Sequence, residues 1–173
     1  MNTIERAVVM RASVIGARFD LGVLVATVTC AEARVRAALE RACSLQLIVA
    51  DEPGCGRYSF RHALTRDIIY AELLSGRVRP LHRRIARALE RTVAPGDASL
   101  EDLAYHFWAG GDARRALRYN ELAGDHAAAV HARDDARTYY ARAQSLIEIE
   151  SHAYARLAKK LRAIGDRPRS ERR

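Results

Sequence analysis

Apolar residues recur at three- and four-residue intervals from the start of the chain. Ile4, Val8, Ala12 and Ile15 fall on one face, and the spacing predicts an amphipathic helix over about residues 3–15, stopped by Gly16. Asp20 stands where an N-cap belongs, ahead of Leu21, Val23, Leu24 and Val25, and predicts a short second helix. Thr29-Cys30-Ala31-Glu32 has capping-box spacing, in which the threonine hydroxyl and the glutamate three residues on satisfy each other's orphan amides. Val35, Leu39 and Ala42 continue the apolar stripe of this third helix to near Cys43. The period then falls from near 3.6 to 2. Leu45, Leu47 and Val49 alternate, Glu52-Pro53-Gly54-Cys55-Gly56 supplies turn residues, and Tyr58 and Phe60 alternate with Arg57, Ser59 and Arg61, which predicts a β-hairpin. A hairpin alone does not persist in water, so a helical layer is expected against one face.

Helical periodicity returns over residues 62–74 and again from about Pro80 to Val93, with Pro80 placed near a helix start, where its missing amide costs nothing. Ala94-Pro95-Gly96-Asp97-Ala98 is the clearest linker. Beyond it Ser99 caps a helix through about Trp108, Gly110-Gly111 breaks it, and Asp112 and Asp134 mark the starts of two more. Ala116-Leu117-Arg118-Tyr119 and Ala136-Arg137-Thr138-Tyr139 repeat a small-x-x-aromatic pattern, in which a small residue lets helices approach while the tyrosine fills the groove. This resembles tetratricopeptide helices, although the offset of 20 departs from the roughly 34-residue period of that repeat. From Gly165 onward nothing apolar remains to bury, and disorder is expected. The expected fold is mainly α: a winged-helix domain over residues 1–94 (three helices, a hairpin, two further helices), a linker over 95–98, a helical-hairpin stack over 99–163 and a basic tail over 164–173.

Composition narrows the function classes. No apolar run approaches the roughly 20 residues of a membrane span. The start of the chain, with Glu5 and Arg6 around a short Val8-Val9-Met10 patch, lacks the features of a signal peptide, so a cytoplasmic location without membrane contact is expected. The net charge of +8 invites a nucleic-acid reading, but residues 156–173 hold eight cations against Asp166 and Glu171, which assigns most of the excess to the tail. Cys30, Cys43 and Cys55 are odd in number and widely spaced, and His126 and His131 stand five apart, so neither a disulfide framework nor a metal site is encoded.

The stretch Tyr58-Ser59-Phe60-Arg61-His62-Ala63-Leu64-Thr65-Arg66-Asp67-Ile68-Ile69-Tyr70, followed by Leu81-His82-Arg83-Arg84-Ile85-Ala86-Arg87-Ala88-Leu89-Glu90, resembles the winged-helix arm behind the nucleotide-binding core of signal-transduction ATPases of the LuxR-type regulators and related cyclase-associated proteins. Residues 9–20, Val9 to Asp20, are similar to the family's opening helix. Leu103-Ala104-Tyr105-His106-Phe107 with Gly111-Asp112 is similar to the start of its helical-repeat sensor. The resemblance covers nearly the whole chain. It implies a non-catalytic regulatory module whose winged helix packs on an ATPase core, in cis or in trans, and whose helical repeats receive a protein or small effector. In the wider class a Met-His-Asp motif at this helix start lets histidine contact the β-phosphate of bound ADP. His62 occupies that place here, with Ala63 in the position of the aspartate. A helix N-terminus is a good environment for such an anion.

No phosphate loop of the G-x-x-x-x-G-K-[ST] type is present, and the only lysines are Lys159 and Lys160. No cofactor is therefore expected on this chain alone, ADP or ATP entering only with an ATPase domain supplied by a partner, and ATP hydrolysis is not expected. The family's C-terminal DNA-binding helix-turn-helix is not apparent after Arg162, so the polypeptide looks like a middle piece. The alternative function is DNA binding by the winged helix itself. Its candidate recognition helix, about residues 31–43, offers Arg34, Arg36 and Arg41 against Glu32 and Glu40, a net of +1 and a poor footprint for a groove reader. Arg77, Arg79, Arg83, Arg84, Arg87 and Arg91 make the fifth helix more basic, and are expected to form a solvated face opposite Leu81, Ile85 and Leu89. Catalysis has no constellation to carry it: there is no Gly-x-Ser-x-Gly elbow, and Glu101-Asp102 suits a helix dipole. A surface built to face an ATPase core would be an exposed apolar patch without one, and self-association is expected.

Overall fold

Helix α1 (Thr3–Ile15) is opened by a capping box of Asn2 and Glu5. Asn2 Oδ1 accepts from the Glu5 amide at 2.9 Å, and Glu5 Oε2 accepts from the Asn2 amide at 2.8 Å, so two orphan donors are satisfied reciprocally. The computed structural model describes residues 1–52, 54–73, 75–92 and 100–165. It is mainly helical, with a small three-stranded antiparallel sheet, and divides into two compact units, Met1–Ala94 and Pro95–Arg173.

In the first unit the chain turns at Gly16 into β1 (Arg18–Asp20), then α2 (Leu21–Thr27), α3 (Glu32–Ser44), β2 (Ile48–Ala50), β3 (Arg57–Phe60), α4 (Ala63–Ala71) and α5 (Ser75–Thr92). The sheet order is β1-β3-β2, with Phe19 opposite Tyr58 and Val49 opposite Ser59. Strand β1 was not anticipated, because three residues are too few to display alternation. Phe19 shows its role: it is buried, stacks on Tyr58 at 5.8 Å between ring centroids and lies 5.9 Å from Phe60. The helical layer expected against the sheet is formed by α1, which packs on α3, and by α2, which packs on α5. Val8, Leu24, Val35, Leu39, Ile48 and Ile85 are fully enclosed there, each contributing about 1.5–3 kcal/mol of burial.

Several local expectations are corrected. Asp20 is the N-cap of α2 in position only, since its side chain makes no capping bond. The Thr29 capping box does not form. Ala31 is the N-cap of α3, and Glu32 pairs instead with Arg36 one turn along at 2.7 Å. The alternation before the hairpin has the opposite phase: Ile48 is buried, whereas Leu45 and Val49 are 41% and 40% exposed. Gln46, at φ 60°, reverses the chain after α3, so Leu45 still belongs to the helix end and the strand period begins later. Pro80 lies inside α5 rather than at its start, and its ring removes one intrahelical bond from the second turn.

The described residues of the second unit form a run of four helices, α6 (Leu100–Gly110), α7 (Ala113–Ala129), α8 (Arg133–Gln144) and α9 (His152–Gly165), each packed on the next. Asp112 caps α7, its carboxylate accepting from the Arg115 amide at 3.2 Å, and Gly111 makes the preceding turn at φ 72°. Asp134 is one residue inside α8, whose N-cap is Ala132. The small-x-x-aromatic idea holds for Ala116 and Tyr119, both buried, with Tyr119 stacked on Phe107 at 5.3 Å. In α8 the groove is filled by Tyr140 rather than the half-buried Tyr139, because Gly124 on α7 leaves space for that ring. Leu157 of α9 completes the cluster of Ala127, Ala136, Tyr140 and Ala143.

Helix α9 also corrects the charge assignment. Arg156, Lys159, Lys160 and Arg162 sit on a helix rather than a tail. Glu121 takes Arg156 at 2.7 Å and Lys160 at 2.9 Å, and Lys160 also reaches Asp125 at 2.7 Å. The basic tail expected over 164–173, with disorder from Gly165, is corrected at its start, since Ile164 and Gly165 belong to α9; the linker 95–98, the Ser99 cap and residues 166–173 lie outside the described residues.

Candidate interaction surface on the fourth helix

Helix α4 presents its apolar side outward. His62 is its N-cap, in an extended conformation, and its carbonyl accepts from the amides of Thr65 and Arg66 at 3.1 and 3.3 Å. The His62 imidazole is exposed and makes no capping bond to the first turn of α4. Leu64 and Ile68, one turn apart, are 71% and 55% exposed, and no residue of the helix is fully buried. Such an arrangement leaves water against a stripe that a helix normally turns to its core.

The helix is instead held by polar contacts. Arg66 Nε donates to the Ser13 carbonyl at 2.8 Å, and its guanidinium lies 5.2 Å over the Tyr70 ring. Tyr70 Oη lies 3.2 Å from His82 Nε2 on α5. His82 is only 2% exposed, and burial, assisted by the Arg66 charge, lowers its pKa to about 4. The imidazole is therefore a neutral partner near neutral pH. Between α1 and α4 opens a groove of about 520 Å³ lined by Met10, Leu47, Ile68 and Ile69, with the Arg6–Glu72 ion pair of 2.7 Å beside it.

The other candidate residues lie elsewhere on this unit. Arg34, Arg36 and Arg41 are all exposed on α3, but they are not three available cations, since Arg36 is engaged by Glu32 and Arg41 Nη1 donates to Ser44 Oγ at 3.4 Å. Ile85 and Leu89 of α5 are buried and Arg79, Arg83, Arg84, Arg87 and Arg91 exposed, while the side chain of Arg77 lies outside the described residues. Four of these arginines do more than meet solvent: Arg83, Arg84, Arg87 and Arg91 line a second groove, of about 430 Å³, with Ala26 and Pro80. A helical face read in isolation hides this, because α2 supplies the opposite wall.

In the second unit a groove of about 480 Å³ is lined by Arg114, Leu117, Arg118, Glu121, Leu122, Asp125 and Arg156. Hydrogen bonding from Arg156 holds the Glu121 carboxyl below its usual range. Among the described residues no group of three His, Cys, Asp or Glu side chains is placed to hold a metal ion, and no helix is long and apolar enough to cross a membrane. No protein-family model, no curated protein and no solved structure matches this chain.

Proposed function

We propose that the chain is a non-catalytic regulatory module of a signal-transduction ATPase system: the first unit, a winged helix, packs on an ATPase core through α4, and the helical stack receives an effector. The observation that carries this reading is the outward apolar stripe of Leu64 and Ile68 on a helix that begins at His62. A helix fixed to its own unit by Arg66, Tyr70 and His82 is free to spend its apolar side on a partner. Further support comes from three helices followed by the β2–β3 hairpin, the order expected of a winged helix, with β1 added as a third strand beside β3. The consecutive hairpins of α6 to α9 suit a repeat-like receiver.

A nucleotide would be held by the partner's phosphate loop, supplying an anion at the interface. On this side His62 would orient towards it, assisted by the first turn of α4. The test is capture of a phosphate-loop ATPase protein encoded beside this chain, with ADP, with a non-hydrolysable ATP analogue and with neither. Capture is expected to depend on the nucleotide and to weaken at least tenfold, about 1.4 kcal/mol, in a Leu64→Asp/Ile68→Asp variant. His62→Ala is expected to bind but to lose the difference between nucleotides. Absence of capture in every condition, or full capture by the α4 variant, overturns the reading.

A further inference from the structure

The groove between α2 and α5 concentrates charge in a way that neither the fold nor the α4 surface requires. Helix α5 holds six arginines against one acid, Glu90, a net of +5 in 18 residues of a chain whose whole excess is +8. Arg83, Arg87 and Arg91 follow one another at four-residue steps and so stand on one ridge, where like charges repel by a few tenths of a kcal/mol per pair. Among the described residues, no ion pair relieves Arg83, Arg84, Arg87 or Arg91. Arg84 is tied across the groove instead, its Nη1 donating to the Thr27 carbonyl at 3.3 Å.

The lining selects the ligand chemistry. Among the described residues, Ala26 and Pro80 complete the wall, which brings no carboxylate to repel an anion and no aromatic ring on which a base could stack. Guanidinium groups offer paired donors that match phosphate oxygens. The three-arginine ridge extends about 12 Å along the helix axis, long enough for several phosphates in series and too long for one. We infer that this groove is a phosphate-binding site that takes a run of phosphates, as presented by a nucleic-acid backbone or by a free polyphosphate, without reading base sequence. The site is separate from the recognition-helix arginines of α3 and does not depend on the α4 reading.

The test uses the full chain with two probes, a labelled DNA duplex of arbitrary sequence followed by fluorescence anisotropy, and inorganic tripolyphosphate followed by calorimetry. An Arg83→Gln/Arg87→Gln variant is expected to lose at least tenfold in affinity for whichever probe binds. For DNA, its slope of log affinity against log salt should fall by about 2. The substituted side chains are exposed, and an unchanged circular dichroism spectrum and Tm establish that the variant is folded. Two controls, Arg34→Gln/Arg36→Gln/Arg41→Gln and Arg167→Gln/Arg169→Gln/Arg172→Gln/Arg173→Gln, are expected to lose less. Binding of both probes, or of the duplex alone, assigns the site to a nucleic-acid backbone. Binding of tripolyphosphate alone assigns it to a free polyphosphate. The inference is overturned if neither probe binds, if the groove variant binds as the unsubstituted protein does, or if either control loses as much.

Discussion

Gly124 and Gly22 are both helical glycines, and their surroundings predict opposite responses to the same added methyl group. At Gly124 a Cβ would lie 2.5 Å from Tyr140 Cε1 and 2.6 Å from Cδ1, on a ring that is buried and whose hydroxyl is fixed by donating to Asp125 Oδ1. The ring has nowhere to retreat, so Gly124→Ala is expected to cost about 1–3 kcal/mol despite the gain in helix propensity. At Gly22 an added Cβ meets nothing within 4 Å. Gly22→Ala is expected to stabilise by up to about 1 kcal/mol, because only the entropy of the unfolded chain changes. Urea denaturation of the two variants checks the pair, and a neutral Gly124→Ala would mean that α7 and α8 are not pressed together at Tyr140. The small-x-x-aromatic spacing points to Tyr139, whereas the buried ring is that of Tyr140. Spacing within one helix gave no information on which of two adjacent tyrosines faces the neighbour.

Among the elements, α4 depends on a titratable contact, and this makes its attachment sensitive to pH. His82 has a pKa near 4 in the folded chain against an ordinary 6.5, so between those values the unfolded chain binds more protons. The contribution of the neutral imidazole is therefore complete above pH 6.5 and is lost progressively as pH falls towards 4. Stability should decline over that window by an amount on the order of 2 kcal/mol. Hydrogen exchange should show α4 losing protection there, since Tyr70 bonds to the same ring. A His82→Gln variant should lack this part of the pH dependence, and an unchanged profile in the variant would exclude His82 as its source. The helices with their own buried stripe, α1 and α3, were legible from period alone. Helix α4 was legible as a helix but not in its orientation, because an apolar stripe has the same period whether it faces its own core or another surface. Strand β1 is too short to carry a period, and α9 was hidden by its cations, two of which are consumed by Glu121 and Asp125.

At the scale of the whole molecule, the residues divide into two units, the first burying residues such as Leu24, Leu39 and Ile85, the second Tyr140 and Leu157. The sequence marked a boundary through Pro95 and Gly96, whereas the groove of arginines and the outward face of α4 depend on walls brought together from distant positions and could not be read from local spacing. Each interior contains large side chains removed entirely from water, Leu24, Leu39 and Ile85 in the first unit and Phe107 and Leu157 in the second. Units of this length are above the roughly 40 residues below which a core alone rarely offsets conformational entropy, and stabilities of roughly 4–14 kcal/mol follow from the usual per-residue range. Fragments 1–94 and 95–173 are therefore expected to fold when produced apart, each with a cooperative urea transition. Their circular dichroism spectra, weighted by length, should add to that of the full chain. The α4 stripe belongs to the first fragment, so light scattering should find any concentration-dependent self-association in fragment 1–94, and Leu64→Asp should reduce it. A first fragment that unfolds alone would show that its interior is completed by the rest of the chain, while association confined to fragment 95–173 would remove the argument that the exposed face of α4 is the sticky one.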